Sequence, residues 1–416
     1  MQPFTADVGR CFFDIFLTKQ LVMLLNLWYL FLPSSAEASR TFHCLIIKWE
    51  LIMKTWTDKI AYDFSETILN DFFTEDMLFF DIETTGFSAA HSQLYLIGCA
   101  YRRQNTLILT QFFADEPTDE SLILDAFGKL AIQFQSVVTF NGNGFDIPYM
   151  KTRCAVLNVP WFLDSVSAID LFKIVSSMKF LLKLPNYKQK TVEQFLGIGR
   201  EDLYHGGELI EVYKHYQKHP DDGALLLLKT HNYEDVLGMV GLLRILSYRN
   251  LLEGRFSVTD IESRIYQDMD GMDQKELILT CEHASALPHP VSCKYEEFYL
   301  HCEKNCSRLS IHLFDGTLKF FFPNPKDYYY LPSEDIAIHK SVASYVDKEF
   351  RKQATKNTCY TKKDAIFVPQ YTTVCEPVYC KSLKDKCTYF ELTEDFLSSP
   401  ELLHRYVLHV MKLLSQ

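Results

Sequence analysis

Met77-Leu78-Phe79-Phe80 is a short, wholly apolar run that passes without a break into Asp81-Ile82-Glu83-Thr84-Thr85-Gly86. An apolar run of that length, bounded by polar residues, predicts a buried strand. The strand carries Asp81 and Glu83 at its end, and side chains two apart on a strand point to the same face. Two carboxylates that close repel each other and raise each other's pKa unless a cation lies between them. Hard oxygen ligands of this kind suit Mg2+ or Mn2+. For the pair taken alone, a charged strand end at a solvated edge accounts for the sequence equally well.

Around this strand the pattern is that of an α/β domain. Leu94 to Tyr101 and Thr106 to Phe113 read as two more strands, separated by the polar turn Arg102-Arg103-Gln104-Asn105. Asp119 can cap a helix to about Phe134, with Leu122, Leu124, Phe127, Leu130 and Phe134 near helical spacing. Val137 to Phe140 predicts a strand, the Gly-rich bend Asn141 to Gly144 leads into a helix near Pro148, and a further strand ends at Asp170. The chain then reads as mostly helical to about Arg249, with Leu225 to Tyr248 the longest helical region. Three strands, helix, strand, helix, strand and then helices suit a mixed sheet flanked by helices.

After about Arg255 the texture becomes α+β. Asp260 to Leu279 reads as one helix. Arg308 to Phe314 and Thr317 to Phe322 read as a hairpin joined at Asp315-Gly316. Tyr328 to Tyr330, Ala365 to Val368 and Thr388 to Leu392 add β-like pieces, and Glu401 to Leu414 predicts a closing helix. The expected organisation is a separate segment over 1–52, an α/β domain over 53–255, and a C-terminal α+β appendage of unassigned role over 256–416.

Two later motifs bear on the strand carboxylates. In Phe140-Asn141-Gly142-Asn143-Gly144-Phe145-Asp146-Ile147-Pro148 a strand runs into a bend and an Asp opens the next helix. Asp near a helix start and Gly in a turn are ordinary choices, so Asp146 means little alone. In Thr230-His231-Asn232-Tyr233-Glu234-Asp235-Val236, His231 and Asp235 are four apart and share one helical face. A local surface pair would explain them as well.

Together the three motifs resemble the DnaQ-like (DEDD) 3′–5′ exonuclease superfamily, built on the ribonuclease-H-like fold. The resemblance covers about Leu78 to Leu246. Asp81 and Glu83 correspond to the first motif, Asp146 to the second and Asp235 to the third. Within the superfamily the chain looks most like the uncharacterised YprB-like branch, whose second motif also has the form Asn-Gly-x-x-Phe-Asp, and Leu196-Gly197-Ile198-Gly199-Arg200-Glu201-Asp202 resembles that branch too.

The resemblance implies a two-metal phosphodiester hydrolase acting on a 3′ end of single-stranded DNA or RNA. Asp81 would bridge two Mg2+ or Mn2+ ions and Glu83, Asp146 and Asp235 would complete the cage, with the ions roughly 4 Å apart. His231 is the candidate general base. Histidine-type members place this His five residues before the last Asp, and tyrosine-type members place a Tyr four before it. Here His stands at the tyrosine spacing, with Tyr233 two before Asp235, so His231 either reaches the attacking water or acts from behind the ligands. Thr84, Thr85 and Gly86 would let backbone groups approach the terminal nucleotide, and Phe87 would stack on a base. Asn141 would orient the backbone near Asp146 or meet a phosphate. Lys190, with Lys188, would contact the phosphate backbone, or simply belong to a solvated loop before a capped helix.

The remaining features narrow little. A net charge of −11 argues against a protein that coats nucleic acid non-specifically, but leaves room for a local basic groove. The composition, 48% hydrophobic and 23% charged, is that of a soluble globular chain with no expected membrane role. Twelve scattered cysteines form no disulfide framework and fit reduced thiols in the cytoplasm. Cys302 and Cys306 with His301, and Cys375, Cys380 and Cys387, lack the paired short spacings of a zinc site. Leu21 to Leu32 is too short to span a bilayer easily. With Ala36-Glu37-Ala38 it reads as a poor secretion signal or, preferably, as an extension upstream of a start at Met53. Lys340 to Lys363 is basic and contains Tyr345 and Tyr360, which suits either guidance of a single strand or a plain amphipathic helix. The rival to catalysis is a nucleic-acid-binding module without activity, or an adaptor working through 256–416.

Overall fold

The computed structural model describes residues 53–415 apart from 202, 203, 205, 268 and 269. The signal-like or upstream segment over 1–52 lies outside the described residues. Lys54 to Gln416 forms one compact unit.

The N-terminal half runs β1 (Lys54–Ala61), α1 (Thr67–Phe72), β2 (Met77–Thr84), β3 (Leu94–Arg103), β4 (Thr106–Phe113), α2 (Glu120–Ala131), β5 (Ser136–Thr139), α3 (Asp146–Leu157) and β6 (Ser167–Asp170). Helices follow: α4 (Leu171–Ser177), α5 (Lys179–Leu182), α6 (Gln189–Phe195), α7 (Gly206–Lys218), α8 (Asp222–Leu242) and α9 (Leu246–Leu252). The six strands form one mixed sheet in the order β1-β4-β3-β2-β5-β6. β1 to β4 pair antiparallel, whereas β5 and β6 continue parallel to β2. β1 is the edge strand, and its side chains are mostly exposed along its length.

Period-two alternation along β2 assigns its two faces. Phe80 meets Phe127 of α2 with ring centroids 5.1 Å apart. Phe79 packs instead into the cluster that holds Val236 and Met239 of α8. The sheet is thus covered on both sides, and Asp81 and Glu83 share the α8 face with Phe79.

The C-terminal half is β-rich: β7 (Phe256–Gln267), β8 (Asp273–Tyr295), β9 (Phe298–His312), β10 (Phe314–Phe321), β11 (Tyr328–Leu331), β12 (Ile336–His339), α10 (Lys340–Ala343), β13 (Lys352–Gln353), β14 (Tyr360–Gln370), β15 (Thr388–Glu391), α11 (Glu394–Leu397) and α12 (Pro400–Leu414). Three small sheets have the orders β7-β8-β9, β10-β14-β15 and β12-β11-β13. Two expectations are corrected here. Asp260 to Leu279 is a β-hairpin rather than a helix, with Gln267 opposite Asp273 across a turn in which Gly271 adopts φ +75°. Arg308 to Phe314 and Thr317 to Phe322 do not pair with each other. β9 lies against β8, and β10 pairs with β14 in a register that puts Phe314 opposite Phe367. Asp315-Gly316 is therefore inside a strand, opposite Ile366 and Ala365. Apolar packing is continuous across residue 256, since Tyr248 and Leu251 share a core cluster with Leu277, Leu279, Tyr406 and Met411.

Candidate metal centre

The β2–β3 ladder shifts register after Glu83, which pairs with Leu96 while Thr84 pairs with Leu94. Such an irregularity bends a strand and ends its regular pairing, here just beyond the two carboxylates. α8 lies across β2, β3 and β4 on the same face and brings His231, Asn232 and Asp235. His231 Nε2 is 3.2 Å from Asp235 Oδ2 and 3.7 Å from Glu83 Oε1. One ligand-type atom each from Glu83, His231 and Asp235 lies within 4.8 Å of the others. The third element is the β5–α3 loop, which delivers Asp146; its Oδ1 accepts the backbone N–H of Ile82, between the two strand carboxylates, at 3.3 Å. Glu83, His231 and Asp235 thus come together, and Asp146 is tied to the backbone between Asp81 and Glu83.

The electrostatics of this point are unfavourable without a cation. Burial holds the Asp81 carboxyl well above its ordinary range, and the negative charges of Asp235, Asp146 and Glu83 push it further, against one hydrogen bond from Asn232. Burial also pushes Asp146 up to about 7, with Asp170 and Asp235 adding to the effect and the amides of Asp146 and Ile82 opposing it. A divalent cation relieves these penalties together. The donors are hard oxygens from three separate elements, and they fit Mg2+ or Mn2+.

The supporting positions divide. Thr85 closes the loop after β2: its Oγ1 accepts from Gln93 N at 2.9 Å, and its own N–H donates to Gln93 O at 2.9 Å. Thr84 Oγ1 donates to Gly86 O at 3.1 Å. Phe87 stands at the rim, 87% exposed, edge-on to Phe145 at 6.2 Å. Asn141 occupies the left-handed region at φ +66°, and its carbonyl accepts from Gly144 N and Phe145 N, which shapes the approach to Asp146. Lys190 donates to Tyr204 O at 2.5 Å. It belongs to α6 rather than to a loop. Lys188 is exposed at the start of that helix.

Three residues with no role assigned from sequence hold the centre in place. Asn232 Nδ2 donates to Asp81 Oδ2 at 3.2 Å, while its Oδ1 accepts from Gln111 Nε2 at 3.0 Å. It shares the inward face of α8 with His231 and Asp235, the one signal that could have found it. Arg200, little exposed, lies with Nη2 2.5 Å from Asp235 Oδ1 and Nη1 3.0 Å from Glu193 Oε2. Asp170, recognised only as a strand end, accepts from Asn141 N at 2.8 Å, Asn143 N at 3.3 Å and Phe172 N at 3.0 Å. It therefore pins the loop that carries Asp146. Behind the site, Arg153 and Glu120 form a buried two-point ion pair at 2.6 and 2.7 Å, and Arg153 also holds Ala89 O at 2.9 Å.

The cysteine groupings gather no comparable set. Cys302 is buried and Cys306 exposed along β9, and among the described residues the Glu83–His231–Asp235 group alone has metal-ligand geometry. Among the described residues no helix is long and apolar enough to cross a membrane.

Comparison with known proteins follows the same segment. The model of the RNase H superfamily matches residues 78–247. Those residues form an RNase H-like domain. Over 182 residues the chain is 28% identical to the uncharacterized protein YprB of Bacillus subtilis (strain 168), covering 43% of each chain. The chain therefore spans less than half the length of that relative. Among solved structures, the family B DNA polymerase of the archaeon Pyrobaculum calidifontis aligns at 19% identity with a TM-score of 0.34, over 43% of this chain and 25% of that one. E. coli Exonuclease I in complex with a dT13 oligonucleotide aligns at 11% identity with a TM-score of 0.30, over 50% and 54%. The RNase H-like domain contains every ligand of the candidate centre, and the β-rich half beyond it is additional to that domain.

Proposed function

We propose that this protein is a divalent-metal-dependent nuclease that removes nucleotides from a 3′ end of single-stranded DNA or RNA. The observation that carries the reading is that Asp81, Glu83, Asp146 and Asp235, from three separate elements of an RNase H-like domain, lie close enough for the other three charges to raise the buried Asp81 carboxyl. These four residues would hold the divalent cations, Mg2+ or Mn2+. When bound, the ions supply Lewis acidity and charge neutralisation at a phosphodiester.

The chain's own groups do the rest. His231 Nε2 lies near both Glu83 and Asp235, so it is the nitrogen that would take a proton from an attacking water. Asn232 fixes the Asp81 rotamer, and Arg200 fixes Asp235, so the carboxylates need little rearrangement. Thr84 to Gly86 form the rim where a terminal nucleotide would rest, and Phe87, with its face open, would stack on its base. Asn141 serves by shaping the Asp146 loop. Residues 53–255 would carry the catalysis and 256–416 would serve another role.

The test is cleavage of single strands labelled at either end, in Mn2+ and in chelator. The expected result is stepwise loss from the 3′ end in Mn2+ only, with Asp81→Ala slower by at least about a hundredfold. Chelator-resistant cleavage, or an Asp81→Ala variant as active as the native chain, overturns the reading.

A further inference from the structure

The segment Lys340 to Lys363 carries seven basic residues against Asp347 and Glu349, in a chain whose net charge is −11. The structure replaces the amphipathic-helix alternative for this stretch with something more open. After the short α10 the chain makes a 3-10 turn at Lys348–Phe350 and enters β13. Arg351 folds the segment back on itself by donating to the carbonyl of Ala343. Within the turn so closed, Val342, Tyr345 and Phe350 are 58, 92 and 55% exposed. Tyr345 is the most exposed large apolar side chain among the described residues. Tyr329 lies next to them, under Lys340 at 5.8 Å and Arg351 at 4.9 Å.

The cations here are largely uncommitted. Lys362 and Lys363 are bound to Asp335 and Glu391, but among the described residues Lys340, Lys348, Lys352 and Lys356 are in no ion pair. Rings and ammonium groups therefore alternate along one short solvent-facing turn. An apolar protein partner would have to bury those ammonium groups, at a desolvation penalty. A duplex would satisfy the charges and leave the rings idle, because its base faces are stacked away. A single strand offers both phosphates at short intervals and free base faces.

We propose that the Lys340–Lys356 turn is a second binding surface for single-stranded nucleic acid, separate from the metal centre. Its identity as a nucleic-acid surface draws on the nuclease reading, but its existence does not depend on catalysis. The test uses the full chain carrying Asp81→Ala, in chelator, with an end-labelled oligothymidylate of roughly 30 nucleotides followed by fluorescence anisotropy. Two variants are compared in that background: Lys340→Glu/Lys348→Glu/Lys356→Glu, and Tyr345→Ala/Phe350→Ala.

The charge variant is expected to bind at least tenfold more weakly and to flatten the slope of log affinity against log salt by about 2, as expected for losing roughly three phosphate contacts. The aromatic variant is expected to lose roughly five- to a hundredfold with its salt slope intact. Both should melt within about 2 °C of the parent, as surface changes do. Unchanged strand affinity in both variants overturns the proposal. So does a charge variant that loses binding to phosphatidylserine vesicles while keeping its strand affinity. The two readings separate when native Asp81 is restored and Mn2+ added. Absence of cleavage with patch-dependent binding sinks the nuclease and leaves the surface standing, whereas cleavage with patch-independent binding does the reverse.

Discussion

Asp81 owes its geometry to an absence. Gly98 lies opposite it on β3, and a Cβ built there would fall 2.0 Å from Asn232 Oδ1 and 2.9 Å from Val236 Cγ2. The missing side chain lets α8 approach close enough for Asn232 to bridge Gln111 and Asp81. Gly98→Ala adds a methyl group that this contact has no room for. We expect it to lower stability by about 1–3 kcal/mol, the usual range for overpacking. We also expect Mn2+ to bind at least several-fold more weakly, because the Asp81 and Asp235 elements are pushed apart. Urea unfolding and metal titration measure both, and a stable variant with native metal affinity would show that Asn232 does not set the site.

At the scale of elements, the centre depends on how three pieces of backbone are fastened to one another. The β5–α3 loop is the least regular of them, and Asp170 at the end of β6 takes two of its amides while capping α4. Asp170→Ala removes a cap worth about 1 kcal/mol, which is a small part of global stability. The larger effect is expected on Asp146, whose loop loses its anchor. The variant should therefore show a modest loss in thermal stability but at least about a tenfold loss in turnover with the metal half-saturation point raised. Asp170→Asn, which keeps an acceptor, should recover most of it. Equal damage from Asn and Ala would mean that the charge, and not the hydrogen bonding, is what Asp170 supplies.

For the whole molecule, the raised carboxyls make stability depend on pH in an unusual direction. Asp146 titrates near 3.8 when unperturbed and is pushed up to about 7 in the fold, and Asp81 shifts the same way. Between those values the folded metal-free chain holds more protons than the unfolded one, so its stability falls as pH rises through that window. A bound divalent cation would take the place of those protons. We expect the melting temperature in chelator to decline from pH 5 to about 7, and added Mn2+ to raise it most at the upper end. Scanning calorimetry at several pH values, with and without metal, checks this, and a metal-free melting temperature that rises across the interval would contradict it. Asp81→Asn should weaken both dependences.

Much of the centre was legible because it is written in local periodicities. A period of two puts Asp81 and Glu83 on one face of β2, and a spacing of four puts His231 beside Asp235 on α8. Apolar runs likewise marked β2 to β6, α8 and α12. Legibility stopped where partners are distant in the chain. Asp260 to Leu279 has helical length but turns at Asp270-Gly271, and only the pairing with β9 makes it a sheet. Phe314 finds Phe367 across the sheet, and nothing in either segment names the other. Arg200 and Asp170 are ordinary polar residues by spacing, and they acquire meaning only when burial places a carboxylate or a bare amide against each.

The sequence by itself therefore determined which residues could be ligands and on which faces they lie, because side-chain direction follows from the backbone repeat alone. Only the tertiary structure decided that four carboxylates would be drawn together in a largely buried site and which polar groups would hold them there. Burial and mutual repulsion are properties of packed distances, and no single segment contains them.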